Sequence, residues 1–199
     1  MFTGIIQAVG QLALTQQSTG DIQIRIAANQ LGLSDVKIGD SIAVNGVCLT
    51  VTTVNQTHFT ADVSKETLNV TAGLNQKGFV NLEKAMRLND RLGGHLVSGH
   101  VDGIGEVVQF EAVNDCWLLV IRAPHAISKY IARKGSICVN GVSLTTNVVD
   151  KDNFAINIIP HTLEKTTLGA LNIGSQVNLE IDQIARYVER MQQWETESN

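Results

Sequence analysis

Ser41-Ile42-Ala43-Val44-Asn45-Gly46-Val47-Cys48-Leu49-Thr50-Val51-Thr52 returns 95 residues later as Ser136-Ile137-Cys138-Val139-Asn140-Gly141-Val142-Ser143-Leu144-Thr145-Thr146-Asn147, identical at eight of twelve positions. The same offset places Gly4 on Gly99, Gly10 on Gly105 and Thr67-Leu68 on Thr162-Leu163. A slip of two residues then aligns Asn81-Leu82-Glu83 with Asn178-Leu179-Glu180. A correspondence that runs through both halves marks a duplicated unit. It divides the chain into domains at 1–95 and 96–185 and a tail at 186–199.

Each half reads as β. Ile42–Val54, Phe59–Val63, Val107–Phe110, Trp117–Arg122 and Ala155–Ile159 are short, partly alternating and rich in Val, Ile and Thr, which suits pleated, half-buried surfaces. Asn45-Gly46 and Asn140-Gly141 sit between apolar triplets, the signature of a tight hairpin turn with positive φ. Many short strands in so few residues predict an all-β chain of two homologous small antiparallel barrels in tandem. Lys65–Leu68 and Glu164–Leu168 fit short helical turns. From Asp182 the pattern changes. Ile184, Tyr187, Val188, Met191 and Trp194 make one helical stripe, with Asp182 as N-cap, so a C-terminal α-helix closes the chain. That stripe packs either on its own domain or on a second copy of itself.

The composition narrows the function. Fifteen Lys+Arg against nineteen Asp+Glu leave a net charge of −4, and aromatic residues are 5% of the 199. Nucleic acid is therefore not an expected partner. No apolar run approaches the roughly 20 residues of a membrane span, and the first residues lack the basic and apolar stretches of a signal peptide. Three cysteines without a CxxC pair suit a cytoplasmic chain with reduced thiols. No phosphate-cradling glycine motif occurs.

Three clusters could carry chemistry. At one repeat position the first half has Cys48 and the second Ser143, so two matching pockets would differ in a single nucleophilic or hydrogen-bonding atom. Each alone is equally a core or strand residue. The second cluster is Gly93-Gly94-His95-Leu96-Val97-Ser98-Gly99-His100-Val101-Asp102-Gly103. His100 stands where the first half has Ile5; it either moves protons or holds loop backbone. The spacing of His95 and His100 is not that of a helical zinc motif, and no metal is expected. The third is Asp62–Thr67 with its counterpart Asn157–Thr162, polar strand ends that line a pocket mouth or cap a turn. Two like pockets are compatible with a reaction between two copies of one molecule.

Met1–Ile6, Ser41–Thr52, Gly93–Gly103, Lys134-Gly135-Ser136, Gly141–Thr145 and Ile159–Leu163 together resemble the riboflavin synthases of the alpha-chain type, a lumazine-binding repeat family, over essentially the whole chain. The resemblance implies a dismutation of two 6,7-dimethyl-8-ribityllumazine molecules, in which a four-carbon unit passes from one to the other. The products are riboflavin and 5-amino-6-(ribitylamino)uracil. It implies no cofactor, a homotrimer held partly by C-terminal helices, and an active site between the first barrel of one subunit and the second barrel of a neighbour. A lumazine synthase is a further possible partner. Carried over, the first-barrel contacts are Gly4, Ile5, Ile6, Val47, Cys48, Leu49, Thr50, Asp62, Val63, Ser64, Lys65, Glu66, Thr67, Gly99, His100 and Val101. The second-barrel contacts are Lys134, Ser143, Leu144, Thr145, Asn157, Ile158, Ile159, Pro160, His161 and Thr162. Cys48, His100 and Ser143 are the expected participants in the chemistry, supported by Ser41, Thr145, Lys134 and Asp182. Asn140 departs from the family, which commonly has Asp there; an amide can hydrogen-bond but cannot serve as a base. The competing implication is a lumazine-binding antenna protein without turnover.

Overall fold

The computed structural model describes residues 1–18 and 21–197. In the first half, β1 (Ala8–Ser18), β2 (Asp21–Ala27), β3 (Ser41–Val44), β4 (Val47–Val54), β5 (His58–Val63) and β6 (Gly78–Lys84) close into an antiparallel barrel in the order β1-β2-β5-β4-β3-β6, with α1 (Lys65–Val70) between β5 and β6. Alternation puts Ile22, Ile24 and Ile26 of β2, and Val47, Leu49 and Val51 of β4, inside; Phe59, Leu12 and Leu82 complete the core.

The second half repeats this with β7 (Gly103–Val113), β8 (Cys116–Arg122), α2 (His125–Ser128), β9 (Ser136–Val139), β10 (Val142–Thr145), β11 (Val148–Asp150), β12 (Asn153–Ile158), α3 (Pro160–Lys165), a 3₁₀ turn at Thr167–Ala170, and β13 (Gln176–Ile181). Here the continuous β4 of the first half is broken into β10 and β11, which lie at the two ends of a seven-stranded sheet. The break falls where β4 has its own register shift, between Val51 and Thr53. Buried Thr146 turns its backbone to the preceding loop, with its carbonyl accepting from the Lys134 N–H at 2.7 Å; Asn147 then donates to the Ala155 carbonyl on β12 at 2.8 Å and draws the open edge together. The helical turn expected at Glu164–Leu168 is displaced: Pro160, favoured at a first helical position, starts α3 four residues earlier, and a separate 3₁₀ turn follows.

Both Asn-Gly pairs adopt the predicted left-handed turns, with φ of 47° and 79° at Asn45-Gly46 and 47° and 84° at Asn140-Gly141. These two turns meet. A Cβ on Gly46 would lie 2.7 Å from the Gly141 nitrogen, so glycine serves both the turn and the contact. Around them four buried asparagines form a reciprocal network. Asn45 Oδ1 accepts from the Asn81 N–H and Asn140 Oδ1 from the Asn178 N–H, both at 2.8 Å. The amide of Asn81 donates to the Asn140 carbonyl at 2.9 Å, and that of Asn178 to the Asn45 carbonyl at 3.0 Å. The barrels are thus joined by groups that repeat under an approximate two-fold. Asn140 is the counterpart of Asn45 in this network, a structural role an amide fills. Asn178→Leu removes this donor and also the acceptor of the Ala72 N–H. Because buried polar partners are left unpaired, we expect a loss of about 3 kcal/mol, read from the midpoint of a urea titration.

α4 (Gln183–Glu197) begins where predicted, Asp182 Oδ1 accepting the Ile184 N–H at 3.0 Å. Ile184, Tyr187, Val188, Met191 and Trp194 are exposed, and among the described residues of the helix only Ala185 packs on the second core. Packing of the stripe on its own domain is therefore not what this chain does.

Candidate active site

Each barrel is preceded by a short extended segment, and the two segments cross. Phe2 and Val97 pair as an antiparallel bridge, with reciprocal backbone bonds of 2.7 and 3.0 Å. Each segment is anchored to the last strand of its own repeat by a buried carboxylate. Glu83 accepts from the Thr3 N–H and hydroxyl, both at 2.7 Å, and from the Gly4 N–H at 3.0 Å. Glu180 accepts from the Ser98 N–H and hydroxyl at 2.6 Å, the Gly99 N–H at 2.8 Å and the His100 N–H at 3.0 Å. Burial pushes the Glu83 carboxyl up, against the pull of its Thr3 and Gly4 donors.

Beyond the anchor each segment lies on the opposite barrel. The Gly99 carbonyl accepts from the Cys48 N–H on β4, and the Gly4 carbonyl from the Ser143 N–H on β10, both at 2.8 Å. Gly4 and Gly99 have φ of 75° and 79°. A Cβ on either would stand 2.6 Å from the Cβ of Ser143 or Cys48 respectively. Val101 packs on the first core and Ile6 on the second. This corrects the assignment of Gly4, Ile5 and Ile6 to the first barrel. They belong to the Ser143 side, and Gly99, His100 and Val101 to the Cys48 side.

The two cradles differ in what surrounds Cys48 and Ser143. Cys48 is half-buried beside Phe2, Ala43, Val97 and Cys138. The fully buried Cys138 thiol is pushed well above its ordinary range by desolvation and by Glu180, so it stays a packing group. Ser143 has a partner the sequence reading did not name for it: its Oγ lies 2.6 Å from Nδ1 of His95. Burial lowers the His95 pKa, opposed in part by the Asp182 carboxylate, and Nε2 is buried without a hydrogen-bond partner among the described residues. A neutral ring carrying its proton on Nε2 accepts from the serine hydroxyl and polarises it. His95 has no counterpart in the first half; its sequence signal was its place in the Gly93–Gly103 cluster, which does not point to Ser143. The stability it supports is present above about pH 6.5 and is lost as the pH falls through its lower folded value. His95→Gln is expected to flatten the dependence of stability on pH between about 5 and 7, measured by denaturation at both ends of that window.

His100 has both backbone groups held, its N–H by Glu180 and its carbonyl by Arg186 Nη2 at 3.0 Å, and its residue is exposed. Val47, Leu49, Val63 and Ile158 point into the cores; alternation along the strands leaves only their backbone for a ligand. Thr50 and Thr145 are exposed, whereas Leu144 is half-buried and packs on the second core. Asp62 accepts from Gln23, Lys65 donates its N–H to Asp21, and Ser64 caps α1 by accepting from the Thr67 N–H at 3.2 Å. Glu66 is exposed, as are Asn157, Ile159, Pro160 and His161; Thr162 is half-buried and its N–H returns to the Ile159 carbonyl. Lys134, at φ 66°, bonds Asn147 Oδ1 through Nζ. Ser41 lies in a cleft of about 400 Å³ with Gln7, Asp35, Lys84 and Arg87. Cys48 does not line that cleft.

These features define a class: a tandem pair of lumazine-binding barrels. Residues 3–85 and 98–182 both match the lumazine binding domain family. The chain is 46% identical over 193 residues to the riboflavin synthase of Photobacterium phosphoreum, covering 96% of this chain and 88% of that protein. It is 42% identical over 192 residues to that of Bacillus subtilis, with 96% and 89% covered, and 43% identical over 198 residues to that of Mycobacterium tuberculosis H37Rv, with 96% and 98% covered. Among solved structures it resembles LumP complexed with riboflavin, at TM-score 0.83 and 27% identity over 91% of this chain and 99% of that one. LumP complexed with 6,7-dimethyl-8-(1'-D-ribityl) lumazine gives TM-score 0.80 and 26% identity over the same shares. The chain belongs to the riboflavin synthase family.

Proposed function

We propose that this chain is itself a riboflavin synthase, a transferase that dismutates two molecules of 6,7-dimethyl-8-ribityllumazine. A four-carbon unit leaves one and joins the other, giving riboflavin and 5-amino-6-(ribitylamino)uracil. The atoms of two substrate molecules reappear without remainder in the two products, so no redox cofactor is called for. A lumazine synthase would supply the substrate.

The observation that carries this reading is the pair of crossed cradles, alike in backbone and different in one atom. Equivalent backbone supports binding of two copies of one ligand in equivalent poses. The thiol of Cys48 and the His95-polarised hydroxyl of Ser143 then give one copy the role of donor and the other of acceptor. The remaining work is positioning and proton transfer, which this reading assigns to His100 and Ser143, with Lys134, Asp182, Ser41 and Thr145 as supporting groups. The cradles lie on different barrels of one chain. The family resemblance supports an active site between the first barrel of one subunit and the second barrel of the next, in a cytoplasmic homotrimer. The exposed stripe of α4 supports such an assembly.

A lumazine-binding antenna is the second reading, favoured by the likeness to LumP. The higher identity to synthases, 42–46% against 26–27%, and retention of Cys48, His100 and Ser143 support turnover. Purified protein given the lumazine alone is expected to produce flavin fluorescence. A stable lumazine complex without flavin would instead establish the antenna. No helix among the described residues is long and apolar enough to cross a membrane.

A further inference from the structure

The C-terminal helix reaches the Cys48 cradle through one side chain. Arg186, in the first turn of α4, sets Nη1 2.7 Å from Asp102 Oδ1 and Nη2 2.8 Å from Asp102 Oδ2, a two-point fork. Nη2 also donates to the His100 carbonyl at 3.0 Å. Asp102 is tied in turn to the second barrel, its Oδ2 accepting the Ile181 N–H at 2.8 Å. Its side chain is only 10% exposed, and that of Arg186 36%. This is a charge-assisted, largely shielded clamp, unlike the open surface ion pairs that contribute little.

Its position gives it a purpose. The Gly99 carbonyl holds Cys48, the Glu180 carboxylate holds the N–H of Gly99 and of His100, and Arg186 holds the carbonyl on the far side of His100. His100 is thereby fixed at both ends of its backbone while the residue stays exposed. A carbonyl with a guanidinium donor cannot rotate without losing a charge-assisted bond, and rotation there would swing the imidazole. The ordinary alternative, a clamp that only docks α4, leaves the bond to His100 unused; the Asp102 fork would suffice for docking.

We propose that Arg186, with Asp102, is a positioning residue for His100: it couples the base of α4 to the orientation of the imidazole on the segment whose Gly99 carbonyl holds Cys48. This rests on the reading of Cys48 and His100 as the first-barrel chemical groups. Catalytic geometry is steep in distance, an ångström of misplacement costing up to about 10²-fold in rate. Arg186→Met should therefore lower kcat for flavin formation about tenfold, with KM for the lumazine changed less than about twofold. Arg186→Lys keeps one donor without the fork and should recover part of the loss.

The deciding experiment is a double-mutant cycle on the whole protein, with kcat read for wild type, Arg186→Met, His100→Ala and the pair. If Arg186 acts through His100, its substitution costs about tenfold in wild type and less than about twofold once the imidazole is gone. Full additivity, or a wild-type kcat in Arg186→Met, overturns the proposal. Should Arg186→Met fail to assemble, the cycle is run with Arg186→Lys, whose smaller loss should likewise vanish in the His100→Ala background; additivity, or a wild-type kcat in Arg186→Lys, then overturns the proposal. Failure of the underlying reading looks different: wild type itself would make no flavin, or His100→Ala alone would leave kcat unchanged.

Discussion

Gly99→Ala should abolish flavin formation and cost about 3 kcal/mol of stability, the sum of left-handed strain and a close contact in a packed site. The φ of 79° is one L side chains avoid. The added Cβ would meet the Cys48 Cβ at 2.6 Å, its nitrogen at 2.8 Å and its Cα at 3.0 Å. Cys48 cannot retreat, because its N–H is bonded to the Gly99 carbonyl itself. A control separates the two costs. Gly32 has φ 69° with nothing within 4 Å of its would-be Cβ, so Gly32→Ala should cost only about 1 kcal/mol and leave activity intact. Denaturation midpoints and turnover of the two variants give the comparison. Equal stability and full activity in Gly99→Ala would show that the crossed segment does not build the cradle.

Cys48→Ser should lower kcat by about 10²-fold or more while the protein stays folded, since a thiolate is far easier to populate and more nucleophilic than an alkoxide. The substitution is nearly isosteric at a half-buried position and makes the first cradle chemically like the second. If the difference between the two cradles assigns donor and acceptor roles, erasing it is more damaging than any loss of packing. Turnover and a thermal melt measured together separate these effects. A wild-type rate in Cys48→Ser would remove the thiol from the chemistry.

Much of the architecture was legible because duplication writes the same pattern twice. The Asn-Gly turns, the alternating strands and the capped helix at Asp182 each follow from local chemistry that tertiary context did not override. What could not be read was anything decided by the approach of the two halves. An alignment puts Gly4 on Gly99 but is silent on which barrel each lies against; the Phe2–Val97 bridge sends both across. The break of the second-half strand into β10 and β11, where β4 only shifts register, had no local signal: Val51 and Thr146 make matching backbone bonds to the loop before them. His95 was visible, yet its partner Ser143 lies 48 residues away, and no periodicity connects them. The clamp of Arg186 on Asp102 and His100 spans more than 80 residues and had no local signal. Sequence resolved the elements of each half, while the site arises where the halves exchange their leading segments.

The central claim is that a thiol cradle on one subunit works with a hydroxyl cradle on another. Mixing two impaired variants, Cys48→Ser and Ser143→Ala, tests it most directly, after dissociation and reassembly together. In a ring of head-to-tail contacts, random mixing joins an intact first barrel to an intact second barrel at about a quarter of the junctions. Flavin formation should therefore rise to about a quarter of the wild-type rate, well above either variant alone. Activity no greater than the average of the two separate variants, in a sample shown by mass to contain mixed assemblies, would contradict the account.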